Sequence, residues 1–172
     1  MREINERHRI DEILDSENKE ERIRGLEELK VGLVKTHKEL DVGGGCEEWA
    51  FSTLDLYRFK DKYDKFIQSL DFVKRFHYRC IDFLLLDQQI NLIKSFEDNT
   101  LIAYWHSYFS KPTCPETGLP HYSHYGVCKG NKNHTFLSKW GLTGHLYQTE
   151  SALNLPTSYG DRFHIFRVKK LI

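Results

Sequence analysis

The chain has no apolar run approaching the roughly 18 residues a membrane-crossing helix requires, so no span is expected. Its first residues, Met1-Arg2-Glu3-Ile4-Asn5-Glu6, are charged with no apolar stretch behind them, so no export signal is expected either. An excess of one charge is also missing. Lys plus Arg and Asp plus Glu number 25 each, which leaves no global field to recruit nucleic acid or an anionic membrane. The four cysteines, Cys46, Cys80, Cys114 and Cys128, are widely spaced and contain no Cys-x-x-Cys pair. Reduced thiols in a cytoplasm are therefore expected rather than a disulfide framework, and export by a route that needs no signal would leave the same pattern.

What is present argues for a folded domain. The 172 residues include 11 Phe, 9 Tyr and 3 Trp, and 40% are hydrophobic, enough for one aromatic-rich core rather than a disordered chain. Trp49, Trp105 and Trp140 read as core aromatics, with a substrate groove as the other use for such rings.

One stretch organises the rest: Gly43-Gly44-Gly45-Cys46-Glu47-Glu48-Trp49-Ala50. Cys46, Ala50, Thr53, Leu54 and Tyr57 recur at helical spacing, which places Cys46 at a helix N-terminus on the inward face. The positive end of the helix dipole favours a thiolate there, and the glycines let backbone N–H groups approach whatever the sulfur attacks. The competing reading is a small buried residue after a flexible turn. A phosphate loop does not fit, because no Lys-Ser/Thr follows and no strand precedes the glycines.

Taken in order, residues 1–40 are dominated by charge. Ile23, Leu26, Leu29, Leu33 and Val34 fall at helical spacing, which predicts a helix over about 17–38, N-capped by Ser16, after a short one near 3–14. This segment reads either as an arm that docks a protein partner or as an amphipathic helix packed on the domain. Asp41-Val42-Gly43-Gly44-Gly45 then breaks the helix. Tyr63, Phe66, Ile67, Leu70, Val73, Phe76, Cys80 and Leu84 follow a three-four rhythm that predicts a helical insertion over about 61–97, split near 82–87. A short buried strand at 81–86 is the other option.

The pattern changes at Glu97. Thr100-Leu101-Ile102-Ala103-Tyr104-Trp105 reads as a central strand, and the proline-bearing segment 111–120 as a surface loop. Residues 122–129 and 134–140 read as an antiparallel hairpin closed by a turn at 130–133, and 162–168 as a final strand. Between them, 141–160 reads as loop with a helical turn near 148–153. Helices first and a small antiparallel sheet second make the fold class α+β, with an N-terminal helical arm at 1–40 and one domain at 41–172.

A cysteine nucleophile needs a base brought close by the fold. Cys46 on a helix start, then the strand at 101–105, then His124 opening the next strand resembles the NlpC-type cysteine hydrolases of the papain-like superfamily. Gly45-Cys46-Glu47-Glu48-Trp49-Ala50 matches the cysteine helix, and Ser123-His124-Tyr125-Gly126-Val127-Cys128-Lys129-Gly130-Asn131 the His-x-Gly-hydrophobic strand and its turn. The resemblance covers roughly residues 42–60 and 97–145. It implies a papain-like, NlpC-like α+β fold in which a Cys-bearing helix packs on the sheet and Cys46 and His124 form the catalytic pair. The third, imidazole-orienting role falls by position to Ser138 or Lys139, unless a backbone carbonyl fills it. Lysine fits poorly, since a cation beside imidazolium disfavours the pair, so Ser138 is the candidate side chain.

In such a site His124 takes the thiol proton and the thiolate attacks a carbonyl carbon. The Cys46 N–H helps hold the oxyanion, and imidazolium protonates the leaving group before the thioester is resolved. The expected activity is thus a cysteine hydrolase, peptidase, amidase or acyl transferase acting on a peptide, amide or ester, a chemistry also found in toxins and effectors. No cofactor is implied.

Two readings from other classes stand beside it: a non-catalytic protein-binding module with the same fold, and a zinc-stabilised structural domain. The zinc set would be Cys114, His121, His124 and Cys128. Its spacing, Cys-x6-His-x2-His-x3-Cys, is looser than compact zinc fingers. Strand alternation also puts His121 and Cys128 on opposite faces, which strains convergence. The remaining histidines, His77, His106, His134, His145 and His164, carry no assigned role.

Overall fold

The computed structural model describes residues 2–40, 43–109, 111–141 and 143–170. Asp41 and Val42, which open the expected helix break, lie outside them.

Among the described residues seven strands form a single antiparallel sheet: β1 (Gly32–Lys35), β2 (Ile90–Ile93), β3 (Thr100–Trp105), β4 (His124–Lys129), β5 (Thr135–Trp140), β6 (His145–Thr149) and β7 (Arg162–Val168). Their spatial order is β1-β6-β5-β4-β3-β7-β2. The helices are α1 (Arg2–Leu14), α2 (Lys19–Glu28), α3 (Cys46–Thr53), α4 (Lys60–Gln68), α5 (Phe72–Arg75) and α6 (Cys80–Leu86). This is an α+β arrangement with a larger sheet than the sequence suggests.

Both faces of the sheet are covered, and the strand period of two decides which residue serves which face. On one face α3 and the segment after it bury Trp49, Phe51, Leu54 and Leu56 against Leu101, Ala103, Tyr125, Val127 and Phe166. On the other, α1 and α2 bury Ile10, Leu26 and Leu29 with Ile102, Tyr104, Phe136, Trp140 and Ile165. Neighbours in sequence thus belong to different cores: Ala103 to one and Tyr104 to the other.

The expected arm at 1–40 is built into the domain. The helix expected over 17–38 ends at Glu28, because Lys30 takes a left-handed conformation (φ 60) and the Val31 N–H turns back to the Leu26 carbonyl at 2.9 Å. Residues 32–35 then pair with β6 as an edge strand. Leu33 continued the apolar spacing only by coincidence of period. The N-cap of α2 is Asn18 rather than Ser16: its Oδ1 accepts from the N–H groups of Glu20 (3.0 Å) and Glu21 (3.2 Å).

The insertion is helical at α4, α5 and α6, so 81–86 is not a strand, but it ends in β2, which pairs with β7. Val73 and Phe76, which belong to the apolar rhythm, are 70% and 75% exposed and serve no core. Buried Asp82 fixes α6. It accepts from the Arg79 N–H and Nε–H at 2.9 Å each and from Thr117 Oγ1 at 2.7 Å, which ties the 111–120 loop to the helices. Strand β3, the β4–β5 hairpin and β7 lie where the sequence puts them. Strand β6 falls inside the stretch expected to be loop.

Arg7 secures α1. Its guanidinium, buried in the domain, donates to the carbonyls of Leu155 (3.0 Å), Pro156 (2.9 Å) and Gly160, while Asp11 accepts from the Thr157 N–H at 3.1 Å. Arg7→Met leaves buried carbonyls without donors and should cost about 2–4 kcal/mol of stability in urea denaturation. A loss under about 0.5 kcal/mol would show that α1 does not depend on this strap.

Candidate functional site

Cys46 sits at the first position of α3, as the spacing predicts. Gly44 takes a positive φ of 85, and a Cβ there would also meet the Glu48 side chain at 2.9 Å, so both the backbone and the space favour glycine. The Glu48 carboxylate closes on the Gly45 N–H at 2.8 Å, and buried Lys139 donates its Nζ to the Gly44 carbonyl from β5. The glycine turn is therefore pinned from both sides.

The thiol is half-buried, and burial pushes its pKa up. The backbone N–H groups of Tyr125 and Glu47 pull it partly back, and the Glu47 charge adds to the rise. Desolvation thus outweighs the helix N-terminus. Cys80 is pushed further, to about 12, by burial and then by the charges of Glu47 and Asp64.

His124 is where the sequence expects it, at the start of β4, but it faces the other way. Tyr125 packs against Phe51 of α3 with ring centroids 5.4 Å apart, so its neighbour His124 points through to the α1/α2 face. There the imidazole is 1% exposed, stacked on Tyr159 at 3.9 Å with the rings 4° from parallel, and in contact with Tyr104. Nε2 is buried without a hydrogen-bond partner among the described residues. Burial lowers the His124 pKa to about 3, which keeps the ring neutral. The sheet therefore stands between Cys46 and His124, and the pair read from the sequence is not assembled.

Ser138 shares the His124 face but is engaged elsewhere: its Oγ accepts from the Trp140 indole N–H at 3.1 Å. Lys139 shares the Cys46 face, as alternation requires. The zinc set is not brought together either. Cys114 and Cys128 are fully buried and His121 is exposed. Among the described residues no three His, Cys, Asp or Glu side chains are placed to hold a metal ion together. Trp49 and Trp140 are buried core residues, and Trp105 is half-buried against His164.

On the Cys46 face the histidine in line is His164, unassigned by the sequence. Tyr125 pairs with Ala103 and Ala103 with His164, so two strand spacings, about 10 Å, separate the Tyr125 and His164 backbones. Its Nδ1 is held by the Tyr122 hydroxyl at 2.6 Å, and burial lowers its pKa. The alternation of Phe163 and Ile165 with His164 and Phe166 was the available signal for its face.

A concave feature lies on the α1/α2 face, a partly open cavity of about 470 Å³ lined by α2, β1 and β6. Ile23 and Leu26 of α2, Val31, Leu33 and Tyr147 supply apolar walls, and Lys19, Arg22, His37 and His145 supply nitrogen. Reading 17–38 as one helix hides this site, because His37 then sits on a helix instead of beside β6.

No protein-family model, curated protein or solved structure matches the chain. Among the described residues no helix is long and apolar enough to cross a membrane.

The burial of His124 has a signature in stability. Unfolded, its pKa returns to about 6.5, so between pH 6.5 and 3 the unfolded chain binds a proton that the folded chain excludes. Its contribution is neutral above pH 6.5 and destabilising below it, by about 1.4 kcal/mol per pH unit. His124→Phe, which keeps the stack on Tyr159, should flatten the decline in urea-denaturation free energy between pH 6.5 and 5. An unchanged slope would place His124 in water.

Proposed function

We propose that this chain is a non-catalytic binding module whose ligand site is the cavity between α2, β1 and β6. The observation that carries this reading is the cavity itself: about 470 Å³, within the range of small-ligand sites, apolar over much of its wall and edged by a few nitrogen-bearing side chains. In this reading Cys46 is a packing residue at the head of α3 and His124 a neutral stacking partner for Tyr159. Residues 19–37 take part by forming the site, rather than as a detachable arm.

A second reading keeps thiol chemistry at Cys46, as a peptidase, amidase or acyl transferase of the NlpC-like kind. It is favoured by the backbone N–H groups of Tyr125 and Glu47 at the sulfur, donors of the type that hold an oxyanion. Its base would have to be a group other than His124.

Two measurements separate these. Nile red, a neutral apolar dye, should bind the wild-type chain with one-to-one stoichiometry and lose that binding in Ile23→Trp, a half-exposed position whose enlargement fills the cavity. Absence of saturable binding to the wild type contradicts the module. Iodoacetamide at pH 6 should label Cys46 slowly and at the same rate in His124→Phe. Fast stoichiometric labelling abolished by that substitution would restore the Cys46–His124 enzyme, and fast labelling that survives it would favour the second reading.

A further inference from the structure

Resting on the cavity as the binding site, we infer that its ligand is a small amphipathic acid, an apolar body carrying one anionic head group. The walls are not uniformly apolar. Lys19 and Arg22 lie on the N-terminal half of α2 and both line the cavity, and neither side chain makes an ion pair among the described residues. Two cations that face the same apolar space from adjacent helical turns leave an anion as the complementary charge.

The histidines opposite them sharpen the choice. The His37 and His145 rings stack with centroids 5.3 Å apart, and the backbone N–H of His37 donates to His145 Nδ1 at 2.9 Å. That bond makes Nδ1 an acceptor, so the His145 proton resides on Nε2, which makes no hydrogen bond among the described residues. A neutral imidazole with a fixed Nε2–H is a donor for a carboxylate or phosphate oxygen. Burial lowers the His145 pKa, and nearby Lys19 and Arg22 add to this against the Glu39 carboxylate, which favours the neutral ring.

The acids nearby do not cancel the field at this end. Glu27 also lines the cavity, but it lies five residues past Arg22 and eight past Lys19, about 7.5 and 12 Å along the α2 axis. The Glu39 carboxylate is held by Thr36, through its N–H at 3.2 Å and its hydroxyl at 2.8 Å. Glu20 and Glu21 stand on the first turn of α2 and do not line the cavity. The site is thus polarised along its length, with the cationic end at Lys19 and Arg22 and the apolar floor running toward Leu26, Val31 and Tyr147.

Competition against bound Nile red tests this with three ten-carbon probes of equal tail: decanoate, decanol and decyltrimethylammonium. Decanoate should displace the dye at least about tenfold more effectively than decanol, and the cation should be weakest. In the Lys19→Gln/Arg22→Gln double variant, whose changes are on a helix surface, decanoate should fall to the level of decanol while decanol itself is unchanged. Equal displacement by decanoate and decanol in the wild type overturns the anionic ligand and leaves the cavity reading standing. Decanoate binding that persists in Ile23→Trp, read by titration calorimetry because that variant holds no dye, places the acid elsewhere and overturns both.

Discussion

The pleat of the seven-stranded sheet constrains everything else in this protein. Every strand residue belongs to one face or the other, and both faces are covered, so a shift of one position moves a side chain from one core to a different one. Tyr125 and His124 show the consequence most sharply. The tyrosine packs on the Cys46 helix, and the histidine beside it stacks on Tyr159 under α1. Two residues that the sequence order of elements would pair are divided by the layer that carries one of them.

That division sets the chemistry on each side. On the α3 face the thiol keeps backbone donors but loses more to desolvation than it gains, and Lys139 is committed to the Gly44 carbonyl. On the α1/α2 face, His124 is buried deep enough to stay neutral, and Arg7 and Asp11 draw the 155–160 turn over it, which seats Tyr159 on the imidazole. The cavity opens where this second layer reaches the edge of the sheet: α2 ends early, the chain reverses at Lys30, and β1 extends the sheet beyond β6. The cavity exists because the helix stops two turns short of its apolar pattern.

Local patterning made much of the frame legible. The β-branched and aromatic run of β3, the hairpin around Gly130, the Phe-His-Ile-Phe alternation of β7 and the helix start at Cys46 all appear where composition and period place them. The misses share a cause. Leu33 and Val34 prolong a helical spacing that a left-handed Lys30 interrupts, and Val73 and Phe76 fit an apolar rhythm on a helix that leaves them in water. Strand β6 has only His145 to Thr149, bounded by a glycine turn, too short a run to outweigh the loop-like residues around it. Period reports local shape, while register and helix stops are settled by tertiary pairing.

The candidate site was legible as a set of residue types but not as a constellation. Sequence order placed a cysteine on a helix and a histidine on a strand start; it could not say which face that strand would turn toward α3. One NMR measurement tests the division directly. Alkylating Cys46 and recording the aromatic spectrum should move the ring signals of Tyr125 and Phe51 and leave the His124 imidazole resonances unchanged and neutral at pH 5. A His124 signal that shifts on alkylation and titrates near neutrality would put the imidazole beside the thiol and contradict the account.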